Sequence, residues 1–513
     1  ASPIATRVGL DVLSRGGNAI DAAVAGSFAL AVVHPQAGNL GGGGFLVYYD
    51  AKTKGVWTLD FRETAPLAAR RDMFAGSDTA SRSGPQSIAI PGSVAGIEAM
   101  YRRFGTRPWG ELMAPAIRLA REGFKVDADL ARDLESAKRE RNLDPFGKAL
   151  AAGDTFVQAD LAATLDRIAL AGAKEFYEGE TAKRLVEGLR ETGGNFGYRD
   201  LRDYQPVWRA PIRIRFGEYD IYTTAPPSAG GLVIGEVLNI LSSFPMQSLG
   251  FQSPKAVHLL VEAERRAYID RAKYLGDPGT SRIPYRELLS AERAALWRKS
   301  IDPNRVTMTS TLTEPGSVVA EREHTTHFTI VDAQGNVAAI TTTLNENFGS
   351  GILAPGCGFL LNNSMDDFTA APGKPNRYGL VQGHANAIDP GKRMASSMAP
   401  TIVLKNGAPF LALGTRGGPT IPTTILQIFL GVTVYGKSLA DAVAAPRYHH
   451  QAMPDTIYFE RDRAPKATID ALNAMGHPVA ERDPIGDVHA ILIDGKRIIA
   501  VADPRAGGAA GGI

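Results

Sequence analysis

Hydrophobic and polar positions divide the chain into alternating helical and extended stretches. Residues 5–33 read as a helix, a Gly-Gly-Asn turn at Gly16 to Asn18, and a second, Ala-rich helix. A run of four glycines, Gly41 to Gly44, leads into a strand at Phe45 to Tyr49. Val56 to Phe61 is strand-like and delivers Arg62 and Glu63. Residues 92–200 and 253–300 have helical period and are rich in Ala, Leu, Arg and Glu, whereas 207–224 read as strands. His327 to Val331 and Val337 to Leu344 are two strands joined by the turn cluster Asp332 to Asn336, a β-hairpin. Thr401 to Lys405, Asn406-Gly407 and Phe410 to Leu413 give a second hairpin signal. Gly414 to Gly418 then precede a helix expected to start near Pro419 or Pro422. Two stretches have loop composition: 302–324, with few large apolar groups and many Ser, Thr, Glu and Pro, and 371–381, rich in Pro, Gly and Asn.

The first hairpin carries a chemical consequence. With the turn centred on Gln334, Thr325 and Thr343 are each nine residues from the centre and face each other. Cross-strand neighbours have Cβ atoms roughly 5 Å apart, so two hydroxyls meet at the open end. A hydroxyl becomes a nucleophile once a base takes its proton, and a threonine at a chain N-terminus has its own α-amine for that. Such an amine has a pKa of roughly 7.7–8.0, well matched to general-base work. It exists here only if the chain breaks between His324 and Thr325. From this stretch alone, the β-propensity of threonine is the better account of a Thr-Thr pair in a strand.

Composition narrows the classes. The chain has 513 residues, 44% hydrophobic and 21% charged, with net charge +2. That is ordinary globular content, and it suggests no nucleic-acid or membrane-surface partner. The length allows roughly two to four domains or one large α/β body. The longest uncharged apolar run, Ala22 to Val33, is too short to span a bilayer. Cys357 is the only cysteine, lies between two glycines without a Cys-His signature, and reads as a small packed residue. The nine histidines show no metal-ligand spacing, and the glycine run is neither GxGxxG nor a P-loop. The start at Ala1, without methionine or signal peptide, reads as a trimmed terminus.

Read together, the ordered motifs carry more. RGGNAIDAAVA, HPQAGNLGGGGF, DFRETAP, PPSAGG and YLGDP are followed by TTHFTIVDAQGNVAAITTTLN, FGSGILAPGCGFLLNNSMDDF, PGKPNRYGLV, RMASSMAPTIV, GTRGG and APRYHHQ. In this order they resemble the γ-glutamyltranspeptidase family over about Gly9 to Arg505. The resemblance implies an α/β (α+β) fold, the four-layer αββα sandwich of N-terminal nucleophile hydrolases. It implies a precursor that cleaves itself into fragments 1–324 and 325–513, which stay together as a heterodimer. Family members move a γ-glutamyl group from glutathione-like donors to water, amino acids or peptides. No cofactor, metal, nucleic acid or membrane span is implied, and bacterial relatives are exported to the periplasm or medium.

Residue by residue, the resemblance makes Thr325 the nucleophile, with His324 on the other side of the scissile bond and Thr343 steadying the Thr325 head group. The N–H groups of Gly417 and Gly418 become an oxyanion hole, where one donor is typically worth about 3 kcal/mol in the barrier. Arg62, Ser396 and Ser397 take the substrate α-carboxylate, and Asn345 and Asp367 take the α-ammonium. Tyr378 lies on a loop that resembles a lid over the substrate. Two positions depart from the pattern. Ser364 stands where relatives carry Glu or Gln, and Arg416 stands where they carry a small residue or proline. A short Ser364 weakens the ammonium site, which keeps a rival open: an acylase of the same family acting on glutaryl-type amides, including cephalosporin side chains. A member that degrades γ-linked polyglutamate, and an uncleaved, inactive binder of acidic ligands, are the remaining alternatives.

Overall fold

A computed structural model describes residues 2–74, 77, 79–312, 325–369 and 383–513. Two antiparallel sheets lie face to face. In the first, the order is Val207–Arg209, Gly55–Asp60, Gly43–Asp50, Val337–Thr343, Thr326–Val331. In the second it is Arg497–Ala502, His489–Asp494, Ala408–Gly414, Thr401–Lys405, Tyr219–Thr223, Ile212–Phe216. Val47, Tyr49, Val337 and Ala339 of the first sheet pack against Ile402, Leu404 and Ala412 of the second. Each sheet draws strands from both sides of residue 325.

Helices cover both outer faces. Ala19–Val33 lies against the first sheet and is buried along its whole length. It therefore has no polar face to present, as its Ala-rich sequence without charges after Asp21 requires. Its start is fixed by a capping box: Asn18 accepts from Asp21 N–H and Asp21 accepts from Asn18 N–H. The Asp21 carboxylate also takes Thr106 and Arg107 N–H, so this buried charge is saturated. On the far side, Gly230–Leu241, Pro254–Tyr274 and Thr420–Thr433 pack on the second sheet through residues such as Val233, Leu260 and Ile425. The order is helices, sheet, sheet, helices, the αββα sandwich expected from the motifs.

The hairpin forms as its turn chemistry predicts. Asp332 Oδ1 accepts from Gln334 and Asn336 N–H at 2.9 Å each, and Gly335 takes φ +84°. Asp332 Oδ2 accepts from Ala19 N–H at 2.8 Å, tying the turn to the helical layer. Thr326 faces Thr342 and Val331 faces Val337, so the symmetric register about Gln334 holds. The C-terminal strands His489–Asp494 and Arg497–Ala502 complete the second sheet. No helix of the described residues is long and apolar enough to cross a membrane.

Candidate active site

Thr325 sits at the head of the Thr326–Val331 strand and is buried. Its hydroxyl donates toward Thr343 Oγ1 at 3.4 Å. Thr343 Oγ1 in turn accepts from Asn345 N–H at 2.9 Å. The threonine pair is thus linked to Asn345, whose side chain donates to Asn363 O at 3.0 Å. Asn345 takes φ +77°, a left-handed conformation that asparagine tolerates better than most residues.

Asn39, from the HPQAGN motif, holds the other side of this corner. Its amide donates to Thr343 O at 3.0 Å and Thr342 Oγ1 at 3.1 Å, and its carbonyl accepts from Gly42 N–H at 2.9 Å. The glycine run permits the approach: a Cβ on Gly42 would lie 2.0 Å from Thr343 O. Close backbone packing, rather than phosphate binding, is what these glycines serve.

Arg62 is fully buried and holds two carboxylates. It donates to Glu63 Oε2 at 2.9 Å through Nη1, and to Asp367 through Nη2. Ser364 turns its hydroxyl onto Glu63 Oε1 at 2.8 Å. Ser364, Glu63, Arg62 and Asp367 therefore form one hydrogen-bonded chain. Burial pushes the Asp367 carboxyl up to about 7, against the pull of Arg62 and helped by neighbouring Asp366. Burial opposes the Arg62 charge, yet Glu63 and Asp367 hold its pKa above the ordinary value. Ser396 and Ser397 are anchored separately. Ser396 N–H donates to Pro227 O at 3.0 Å, and Ser397 Oγ accepts from Arg271 at 3.2 Å. The PPSAGG motif thus docks the serine pair.

Gly417 and Gly418 lie between the Ala408–Gly414 strand and the Thr420–Thr433 helix, with φ +138° and +51°. Their carbonyls accept from Thr420 and Ile421 N–H, opening the helix. Among the described residues neither glycine N–H donates to a protein acceptor. Two N–H groups at a helix start suit a developing negative charge. The preceding strand ends against His327: a Cβ on Gly414 would lie 2.4 Å from that ring. His327 is two residues beyond Thr325.

His324 and Tyr378 lie outside the described residues. Sequence reasoning assigned no role to Glu63, Asn39 or Arg271. The first two lie inside quoted motifs, DFRETAP and HPQAGN, which is the signal that could have raised them. Cys357 is buried, and burial pushes its thiol up to about 11. His258, Glu262 and His477 come together in the fold, with ligand atoms within 4.8 Å. His258 Nδ1 and His477 Nε2 already share a hydrogen bond at 2.7 Å, and Arg265 and Arg266 both hold Glu262. Those guanidiniums oppose a dication at that point.

An αββα sandwich with a buried threonine heading an edge strand of one of the two inner sheets defines an N-terminal nucleophile hydrolase architecture. The chain belongs to the gamma-glutamyltranspeptidase family, whose model matches residues 5–513. It is 43% identical to the glutathione hydrolase proenzyme of Escherichia coli, over 98% of this chain and 89% of that one. It is 41% identical to the glutathione hydrolase proenzyme of Pseudomonas aeruginosa, over 98% and 92%. Among solved structures, cephalosporin acylase from Bacillus halodurans superposes with TM-score 0.86 at 26% identity, over 98% of this chain and 93% of that one. Helicobacter pylori gamma-glutamyltranspeptidase gives TM-score 0.59 at 38% identity, over 61% and 94%.

Proposed function

We propose that this protein is a γ-glutamyl hydrolase and transpeptidase that works through an ester on Thr325. The observation that carries the reading is the Thr325–Thr343 hydroxyl pair at the open end of the hairpin. In this scheme Thr325 Oγ first attacks the carbonyl of His324, the C–N bond breaks to leave an ester and a free Thr325 α-amine, and water hydrolyses that ester to give fragments 1–324 and 325–513 and return the Thr325 hydroxyl. The freed Thr325 α-amine then takes the Oγ proton as Oγ attacks the γ-amide carbon of a glutathione-like donor. The tetrahedral oxygen is met by Gly417 and Gly418 N–H. The leaving amine departs with the proton, and water or an acceptor amine releases the glutamyl group and restores the hydroxyl. Thr343 orients the head group. Arg62, Ser396 and Ser397 receive the α-carboxylate, and Asn345 and Asp367 receive the α-ammonium under a lid that includes Tyr378. Following the family, the two fragments remain a heterodimer and act in the periplasm or medium.

Charge supports a zwitterionic α-amino acid over a glutaryl group. Arg62 faces Glu63 and Asp367, so the pocket carries one positive and up to two negative groups. Ser364 cannot supply the charge that Glu has in relatives, but its hydroxyl ends on Glu63, which does. A glutaryl chain brings a carboxylate and no ammonium, leaving Asp367 opposite a methylene, which is unfavourable. The glutaryl acylase reading is favoured by the short Ser364 and by the likeness to the Bacillus halodurans acylase.

Initial rates on γ-glutamyl and glutaryl anilides, beside a denaturing gel, test the reading. The wild type is expected to give two bands, the smaller beginning at Thr325, and to prefer the γ-glutamyl anilide. Thr325→Ala is expected to stay as one band and to lose both rates. Equal or reversed preference would put the acylase reading first, and an intact wild-type band would end the mechanism.

A further inference from the structure

Arg416 sits one residue before the glycine pair. The backbone there is fixed. Thr415 Oγ1 donates to Arg416 O at 2.8 Å and accepts from Asp487 N–H at 2.8 Å, and Gly486 packs against both. The Arg416 side chain is half-buried. Among the described residues its guanidinium has no hydrogen bond, ion pair or aromatic partner. Asp133 feels its charge without bonding to it, and a half-buried guanidinium whose donors meet no acceptor is costly unless a ligand supplies one.

Its surroundings locate it relative to the glutamyl pocket. Asp133, His34 and His489 are among the groups that feel its charge. Burial raises the Asp133 carboxyl while Arg416 pulls it down; burial, with Arg416 among the further causes, drives the His34 imidazole down to about 3. Asp133 accepts from Gln36 at 3.3 Å, and Gln36 O accepts from Phe348 N–H at 3.0 Å, three residues past Asn345. Arg62 is held instead by Glu63 and Asp367, a separate hydrogen-bonded set of charges. One guanidinium therefore serves the glutamyl end, and a second stands by the oxyanion turn outside it.

A γ-glutamyl amide has two ends. With its amino-acid end on Arg62, the leaving group extends from the scissile nitrogen on the other side. A leaving dipeptide reaches about 7 Å from that nitrogen when extended and ends in a carboxylate. Arg416 is about 3.8 Å along the backbone from Gly417, with a side chain that meets a carboxylate through two parallel bonds. We infer that Arg416 binds the terminal carboxylate of the leaving group and of the incoming acceptor, so that the enzyme selects γ-glutamyl peptides and carboxylate-bearing acceptors over neutral ones. The inference rests on the γ-glutamyl transfer reading.

The test compares kcat/KM for glutathione with that for γ-glutamyl-p-nitroanilide, whose leaving group has no carboxylate, in wild type, Arg416→Gln and Arg416→Lys. A lost hydrogen bond between charged groups corresponds to roughly ten- to a hundredfold. The glutathione-to-anilide ratio is expected to fall at least tenfold in Arg416→Gln, with partial recovery in Arg416→Lys. A ratio that stays within threefold of wild type overturns the inference, whether both rates fall together or neither does. Should Arg416→Gln fail to mature, wild-type acceptor kinetics decide. Glycylglycine is expected to have a KM at least tenfold below that of glycylglycinamide, and equal KM values overturn the inference. Wild type inactive on both donors would instead remove the transfer reading on which it stands.

Discussion

Asp367 and Arg62 hold each other in a pocket where the carboxyl is pushed up to about 7, by burial first and against the pull of Arg62. In the proposed scheme an α-ammonium needs that carboxyl ionised, so binding is expected to improve as pH rises through about 7. The stability sign is opposite. A folded-state pKa raised above the ordinary carboxyl value means the folded protein holds the extra proton. Asp367 therefore costs stability increasingly as pH climbs from about 4 to 7. We expect kcat/KM for a γ-glutamyl anilide to gain a rising limb near pH 7 that is missing in Asp367→Asn, together with a KM roughly ten- to a hundredfold higher. The limb of a Thr325 α-amine, at roughly pH 7.7–8.0, remains in both. An unchanged limb in Asp367→Asn would mean that Asp367 does not read the ammonium. The individual residues Arg62 and Asp367 were legible because each sits in a motif. The bond between Ser364 and Glu63 was not, since 301 positions separate them and only the fold makes them neighbours.

Between elements, the turn decided what the strands could not. Every residue of Val337–Thr343 is buried, so no alternation of polar and apolar positions sets its register. Asp332, Gly335 and Asn336 set it instead, and these are visible in the sequence. The packing of the second sheet onto this hairpin was not visible. Gly414 reads as the end of a strand, and nothing in GTRGG says that its Cα meets an imidazole. A methyl there would lie 2.4 Å from both Cε1 and Nδ1 of His327. The ring cannot turn aside easily, because Thr341 and Thr329 hold its two nitrogens at 2.8 and 2.9 Å. Gly414→Ala should therefore cost roughly 1–3 kcal/mol and slow maturation, read by denaturant midpoint and by the two-band gel. Gly110→Ala is the matched control: its nearest neighbour is Ala169 O at 4.0 Å, and helical alanine is favoured there. Equal effects of the two substitutions would show that the Gly414–His327 contact is not a constraint.

Across the whole molecule, a break before Thr325 would cut the chain but not the sheets. In the first sheet, Gly43–Asp50 and Val337–Thr343 pair from Gly43 opposite Thr343 to Tyr49 opposite Val337. In the second, Tyr219–Thr223 and Thr401–Lys405 pair from Thr223 opposite Thr401 to Tyr219 opposite Lys405. Both seams run through the centre of a sheet, where each strand is hydrogen-bonded on both sides. The space between them is filled by Val47, Val337, Ile402 and Leu404. Chain length alone left two to four domains or one body open, because it says nothing about which strands pair. The seams are backbone hydrogen bonds and apolar contacts, and salt screens neither as it screens surface ion pairs. The matured protein should therefore elute as one species in gel filtration at low salt and at about 1 M salt, where the Debye length is only ~3 Å. Its two fragments should part only in denaturant, and together rather than in steps, since removing either exposes the same apolar layer. Separate elution of the fragments at high salt would mean that surface charge, and not the shared sheets, holds the pair.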